Sequence, residues 1–115
     1  MRRGEIWLAD LDPTRGAEAS KRRPVVLVSN NGANASADRR GRGVVTVVPI
    51  TSNTERVYPF QVLLDEGTDG IRMPSKAQAE QVRSLDADRL TRRLGSLTPA
   101  QLRDLDTALR LHLQL

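Results

Sequence analysis

Two short runs, "PVVLVSN" (24–30) and "VVTVVPIT" (44–51), constrain the fold more than anything else in this chain. The first is β-branched and apolar without the polar alternation of a half-exposed strand, so it predicts a central strand covered on both faces. The second predicts the next core strand. Pro24 suits the first position of its strand, where a missing N–H does least harm. If the two strands pair antiparallel, Arg23 at the start of one meets Thr51 at the end of the other.

The remaining pattern supplies short partners for this pair. "GEIWLADLD" (4–12) alternates Ile6, Leu8 and Asp10 against Trp7, Ala9 and Leu11, predicting a first strand that ends at the Asp12–Pro13 turn. "NGANASADRRGRG" (31–43) is rich in Gly, Asn, Ser and charge and predicts a long loop. "YPFQVLL" (58–64) predicts another strand with Phe60 facing the core, and "DEGTDG" a turn. "SKAQAEQVRSLD" (75–86) has weak strand character, "DADRL" suggests a helical turn, and "RRLGSL" (92–97) a last strand. In "TPAQLRDLDTALRLHLQL", Thr98 is an N-cap with Pro99 at the first helical position and Gln101 completing a capping box. Leu102, Leu105, Leu109 and His112 then follow helical spacing. Leu111, Leu113 and Leu115 widen the apolar surface beyond one packing face, leaving part of it for a second subunit. Barrel strands over about 4–97 and a helix over about 98–113 make a small, curled, mostly antiparallel domain spanning 1–115.

Composition removes several chemistries. The 115 residues contain no cysteine, which excludes disulfides and thiolate metal sites. His112 is the single histidine, so a ribonuclease using two imidazoles as base and acid is excluded, as is a His-rich metal centre. Asp10 and Asp12 share a strand face, but turn capping explains Asp12 better than a metal does; no metal site and no cofactor are expected. "MRRGEIWLAD" carries no apolar stretch behind its arginines and "VVTVVPI" is too short to span a bilayer, so a cytoplasmic protein without membrane association is expected.

The net charge of +4 favours anionic partners, although all but two of the eighteen basic residues are arginines, a bias that a GC-rich genome also produces. More telling is where the charge sits. "DPTRGAEASKRRPVVLVSN" (12–30) sets Arg15, Lys21, Arg22 and Arg23, with Glu18 among them, directly ahead of the core strand. Proline biases the preceding residue toward an extended backbone, so Arg23 is rooted in a rigid strand. With the hydroxyls of Thr51 and Ser52 at the neighbouring strand end, donors converge where a phosphate could sit.

"RGEIWLADLDPTRGAEASKRRPVVLVSN", followed by "VVPITSN", "VYPFQVLL" and "AEQVRSLD", resembles the MazF (PemK/Kid-like) family of toxin endoribonucleases, in order and over nearly the whole chain. The resemblance implies a mainly β protein with a C-terminal helix, a small SH3-like β-barrel of the CcdB/PemK type, homodimeric. It implies a type II toxin that cleaves single-stranded RNA without metal, by 2′-OH attack on the adjacent phosphate, leaving 2′,3′-cyclic phosphate and 5′-OH ends. The expected partner is a MazE-like antitoxin whose acidic C-terminal segment occupies the RNA groove. By position, Arg23 matches the family's catalytic arginine, Thr51 its catalytic threonine and Glu18 its loop glutamate. Tyr58, Phe60, Gln78, Glu80 and Gln81 fall on groove positions, and Arg15, Ser52, Asn53 and Lys76 complete the expected RNA contacts. Two departures stand out. Ala17 replaces a Ser or His common in relatives, and Gln78 aligns with an arginine that is catalytic in one branch. The alternatives are a CcdB-like toxin that binds gyrase, which would want an aromatic near the C-terminus where this chain has "LRLHLQL", and a non-catalytic RNA-binding module.

Overall fold

The computed structural model describes residues 1–115. In chain order its elements are β1 (Glu5–Asp10), β2 (Arg22–Leu27), α1 (Asn31–Arg40), β3 (Val44–Thr51), β4 (Gln61–Leu64), β5 (Ser75–Gln78), β6 (Arg83–Asp86), β7 (Leu90–Ser96) and α2 (Pro99–Leu113). Short 3₁₀ turns occupy Ala79–Gln81 and Ala87–Arg89, the second where "DADRL" suggested one. All strand pairs are antiparallel, in the order β4-β5-β3-β2-β1-β7, with β6 attached to β3.

β3 is the strand on which the sheet turns. Its first half pairs with β6 from Val44 to Val47, and its end pairs with β5 at Ile50 and Thr51. On the other side β2 runs beside it from Leu27↔Val47 to Val25↔Pro49. That ladder stops between two prolines, Pro24 and Pro49, neither of which has an N–H to extend it. β2 itself starts two residues before Pro24, because Arg22 and Arg23 pair with Asp10 and Ala9 of β1.

Side-chain alternation along these strands feeds two cores. Ile6, Val26, Val48 and Ile50 pack with Leu105, Ala108 and Leu109 of α2. Ala9, Val25, Leu27, Val45 and Val47 pack with Leu85 and with Ala37 of α1. β2 therefore contributes to both, which is why Val25, Val26 and Leu27 are each fully buried, as the unbroken apolar run predicts. Burying side chains of this size stabilises by about 1.5–3 kcal/mol each.

α2 begins as its sequence dictates. The Thr98 hydroxyl accepts from the Gln101 N–H (3.1 Å) and the Gln101 side-chain oxygen accepts from the Thr98 N–H (2.9 Å). The same Gln101 amide donates to the Thr68 hydroxyl (2.9 Å), fastening the helix to the 65–70 turn. No helix is long and apolar enough to cross a membrane.

Three expectations are corrected. Residues 31–40 are a helix, not a loop: the Asn30 side chain caps it by accepting from Ala33 N–H, and Gly41 ends it at φ 65°. The fully buried Asn34 anchors it, accepting from the Ser29 hydroxyl (2.5 Å) and donating to the Ser29 carbonyl (2.8 Å). Next, β4 starts only at Gln61, because 58–61 closes as a turn in which Gln61 N–H donates to the Tyr58 carbonyl (2.9 Å). Phe60 consequently leaves the core and stacks on Tyr58, with ring centroids 5.3 Å apart.

The third concerns closure. β4 and β7 end the strand order without pairing to each other, so the barrel is not closed by hydrogen-bonded strands. The seam is instead bridged by the 65–74 connection. Ser96 N–H donates to the Asp69 carboxylate (3.1 Å). A Cβ on Gly70 would stand 2.6 Å from the Leu94 carbonyl oxygen, and one on Gly95 2.6 Å from the Asp69 carbonyl oxygen. Only two glycines permit that approach.

Candidate nucleic-acid cleft

At the end of the α2-side core, where the β2–β3 ladder stops, the strands leave a cleft of about 730 Å³. Its walls come from four places: Lys21–Pro24 of β2 and its lead-in, Ile50–Ser52 at the end of β3, Gly70–Met73 of the seam, and Arg92 and Leu94 of β7. Leu8, Pro24, Ile50, Ile71 and Leu94 give it an apolar floor. Lys21, Arg22, Arg23, Arg72 and Arg92 give it five cations and no carboxylate. None of the five takes part in the three ion pairs of the molecule, which are Met1 N-terminus–Asp38, Arg3–Asp106 and Arg93–Glu5. Uncompensated positive charge over an apolar floor suits a polyanion that also presents flat apolar groups.

Arg23 and Thr51 both line this cleft, each two residues beyond the last β2–β3 pair, Val25↔Pro49. Arg23 is half-buried, and its Nε donates to the Ser20 carbonyl (2.8 Å). That bond uses one of five guanidinium donors and leaves the terminal fork for a ligand. The Thr51 hydroxyl accepts from Asn53 N–H (3.2 Å), so it caps the strand end while keeping its own proton to donate. Ser52 is exposed beside it.

A second, smaller hollow lies across the β3 end and is lined by Asn53, Glu55, Arg56, Tyr58 and Lys76. Arg56 lies over the Tyr58 ring at 5.1 Å, and Phe60 reaches His112 of α2 at 6.3 Å. Lys76, the β5 partner of Thr51, is buried, and its ammonium donates to the Arg56 carbonyl (2.5 Å). Glu80 accepts from Gln61 Nε2 (2.7 Å) through one carboxylate oxygen. Its other oxygen, like the side-chain oxygen of Gln78, is buried without a partner.

Phe60, Gln78 and Glu80 line neither hollow, and nor do Arg15, Glu18 and Gln81. Glu18 is exposed rather than partly buried, and its carboxylate accepts from Arg15 N–H (2.5 Å) while Glu18 N–H donates to the Arg15 carbonyl (3.1 Å). Gln81 spends both ends of its amide on the same loop: Nε2 donates to the Ala17 carbonyl and Oε1 accepts from Ala19 N–H, each at 2.9 Å. Arg72 and Arg92 were not anticipated. No short motif marks them: Arg92 comes to the mouth of β2 through β1, whose Leu8 pairs with both Arg92 and Pro24, and Arg72 comes with the seam that packs 69–70 on 94–96.

Residues 2–113 match the family of PemK-like, MazF-like toxins of type II toxin–antitoxin systems. The chain belongs to this family. Among curated PemK/MazF-like proteins, it is 60% identical to endoribonuclease MazF9 of Mycobacterium tuberculosis, over 100% of this chain and 98% of that one. Among solved structures it is similar to an endoribonuclease in complex with its cognate antitoxin from a mycobacterial species. There the TM-score is 0.77 and the identity 28%, over 100% of this chain and 96% of that one. MazF from Deinococcus radiodurans shares the fold, with a TM-score of 0.82 and 24% identity, over 100% of this chain and 97% of that one. The MazF-like fold here is a mainly antiparallel sheet with a C-terminal helix, curled around the cleft.

Proposed function

We propose that this toxin is an endoribonuclease that cuts single-stranded RNA, without metal, by attack of a 2′-OH on its own 3′-phosphate. The convergence of Arg23 and Thr51 in a cleft with five cations and no carboxylate carries the reading. In the reaction the 2′-oxygen bonds to phosphorus as its proton leaves, the P–O5′ bond breaks, and O5′ takes up a proton. The products are a 2′,3′-cyclic phosphate and a 5′-OH.

Charge accumulates on the non-bridging oxygens as the phosphorane forms. The Arg23 fork fits two such oxygens, and the Thr51 hydroxyl supplies a further donor. A guanidinium about 4 Å from the developing charge, at an effective dielectric near 20, contributes roughly 4 kcal/mol. To the extent that this interaction grows in the transition state, it is worth about a thousandfold in rate. Lys21, Arg22, Arg72 and Arg92 hold the flanking phosphates, and Ser52 and Asn53 carry the strand toward Tyr58, where Phe60 backs a stacking platform. Glu18 is the carboxylate on the loop that forms this wall. Its exposure and its bond to Arg15 mean that a base role requires substrate to draw it inward. Lys76 shapes the smaller hollow, with Gln78 on the same strand and Glu80 on the turn that follows.

The same uncompensated cations suit an acidic antitoxin segment that folds as it docks and so blocks the cleft. Exposed Leu111, Leu113 and Leu115 of the α2 end offer an apolar face for a second copy of the chain. A cytoplasmic location goes with an RNA target of this kind. Incubation with a long single-stranded RNA in EDTA tests the reading: cleavage to 5′-OH and cyclic-phosphate ends is expected. Binding without cleavage would leave an RNA-binding module, and neither would turn attention to a protein target.

A further inference from the structure

We infer that Gln81 is a positioning residue for Arg23, acting through the 17–20 loop, and not a reader of RNA. The inference rests on Arg23 being the phosphate-binding group. Gln81 lies on the 3₁₀ turn after β5, more than sixty residues from the loop, yet its amide makes the two hydrogen bonds that a neighbouring strand would make, one either side of Glu18. These two bonds leave the amide one N–H and one lone pair, but Gln81 lines neither the cleft nor the smaller hollow.

What the clamp fixes is the peptide that holds the guanidinium. Ala19, whose N–H bonds to Gln81, is buried in the α1-side core and directly precedes Ser20. The Ser20 carbonyl accepts from Arg23 Nε at 2.8 Å. The N–H of that same peptide belongs to Lys21 and donates to the Asp12 carboxylate at 3.0 Å. Lys21 sits at φ 68°, a conformation unfavourable for a residue with a Cβ, held by these pins together with the bond from Leu11 N–H to the Lys21 carbonyl (2.9 Å). Gln81 and Asp12 thus fix the Ser20 carbonyl from either side, and that carbonyl sets how the Arg23 fork lies in the cleft. Without Gln81 the 17–20 segment has no other bond to the 3₁₀ turn, and the guanidinium loses its bearing while remaining in the cleft.

Two measurements on Gln81→Ala and Gln81→Glu test this. Gln81→Glu keeps the acceptor for Ala19 but sets an oxygen against the Ala17 carbonyl. Single-turnover cleavage should slow by about 10- to 100-fold in Gln81→Ala, the scale of a misplaced catalytic group, with KM within about threefold of the parent. Gln81→Glu should fall between the two. In a ¹H–¹⁵N spectrum, the Arg23 Nε–H resonance, identified by its loss in Arg23→Lys, should shift or broaden in Gln81→Ala while signals from the two cores stay in place. A raised KM and altered cut sites at unchanged kcat would make Gln81 an RNA contact and overturn the inference. So would an unmoved Arg23 signal, or faster cleavage, which would mean that the clamp restrains the loop. If the parent protein cuts no RNA, the proposed activity fails, and the resonance alone still decides whether Gln81 positions Arg23.

Discussion

Arg23 owes its usefulness to two neighbours in sequence and one residue of the adjoining strand. Pro24 extends its backbone, Ser20 takes one guanidinium donor, and the end of β3 sets Thr51 on the wall of the same cleft. Arg23→Ala should abolish cleavage in a protein that still folds, because the residue reaches the cleft without belonging to either core; circular dichroism and a cleavage assay check both halves. Arg23→Lys should also be severely impaired, since an ammonium cannot grip two oxygens in one plane. Thr51→Ala should cost about 10²-fold, the usual effect of losing one preorganised donor, and Thr51→Ser should retain most of the rate. A near-parental rate for Thr51→Ala would confine Thr51 to capping the strand. Arg23 and Thr51 were legible in the sequence because each stands at the end of an unmistakable strand. Arg72 and Arg92 were not, since arginine is so common here that no single one stands out until the fold selects it.

Among the elements, strands with unbroken apolar runs were the easiest to read and those set by turns the hardest. α1 escaped because Asn, Gly and Ser spell loop by composition, whereas its stability comes from an Asn cap, a glycine stop and the buried Asn34. Asn30→Ala should lower stability by about 1 kcal/mol, the typical worth of an N-cap, as a shift in the denaturant midpoint. β4 starts three residues later than the apolar pattern suggests because Pro59 sits at the second position of the 58–61 turn, a turn signal that the flanking aromatic and β-branched residues mask. Gly95→Ala probes the seam. Its Cβ would meet backbone rather than a side chain that could yield, so a loss of about 1–3 kcal/mol is expected. Cleavage should suffer as well, because Leu94 next to it is a cleft wall.

For the molecule as a whole, acid sensitivity should centre on Glu5. Burial pushes its carboxyl up, but Arg2 N–H, the Trp7 indole, the N-terminal ammonium and Arg93 together outweigh that and hold it below its ordinary value of 4.5. A carboxyl depressed by folding stabilises the folded state above its unfolded value and loses that contribution as pH falls through its folded one. Glu5→Gln should therefore melt at a lower temperature than the parent at neutral pH, with the gap closing as pH drops below 4.5. RNA affinity should decline with salt at a slope of about −0.7 per phosphate neutralised. Taken together, the sheet and α2 could be foreseen from periodicity and capping, but the way the sheet fails to meet itself could not, because it depends on two glycines distant in sequence. A ring fastened by side chains and van der Waals contact, not by a strand ladder, can alter its girth without breaking a single main-chain bond between strands. The width available to a guest between β7 and the 70–73 wall is accordingly set by the packing of Asp69, Gly70 and Gly95, a latch on the rim of the cleft itself.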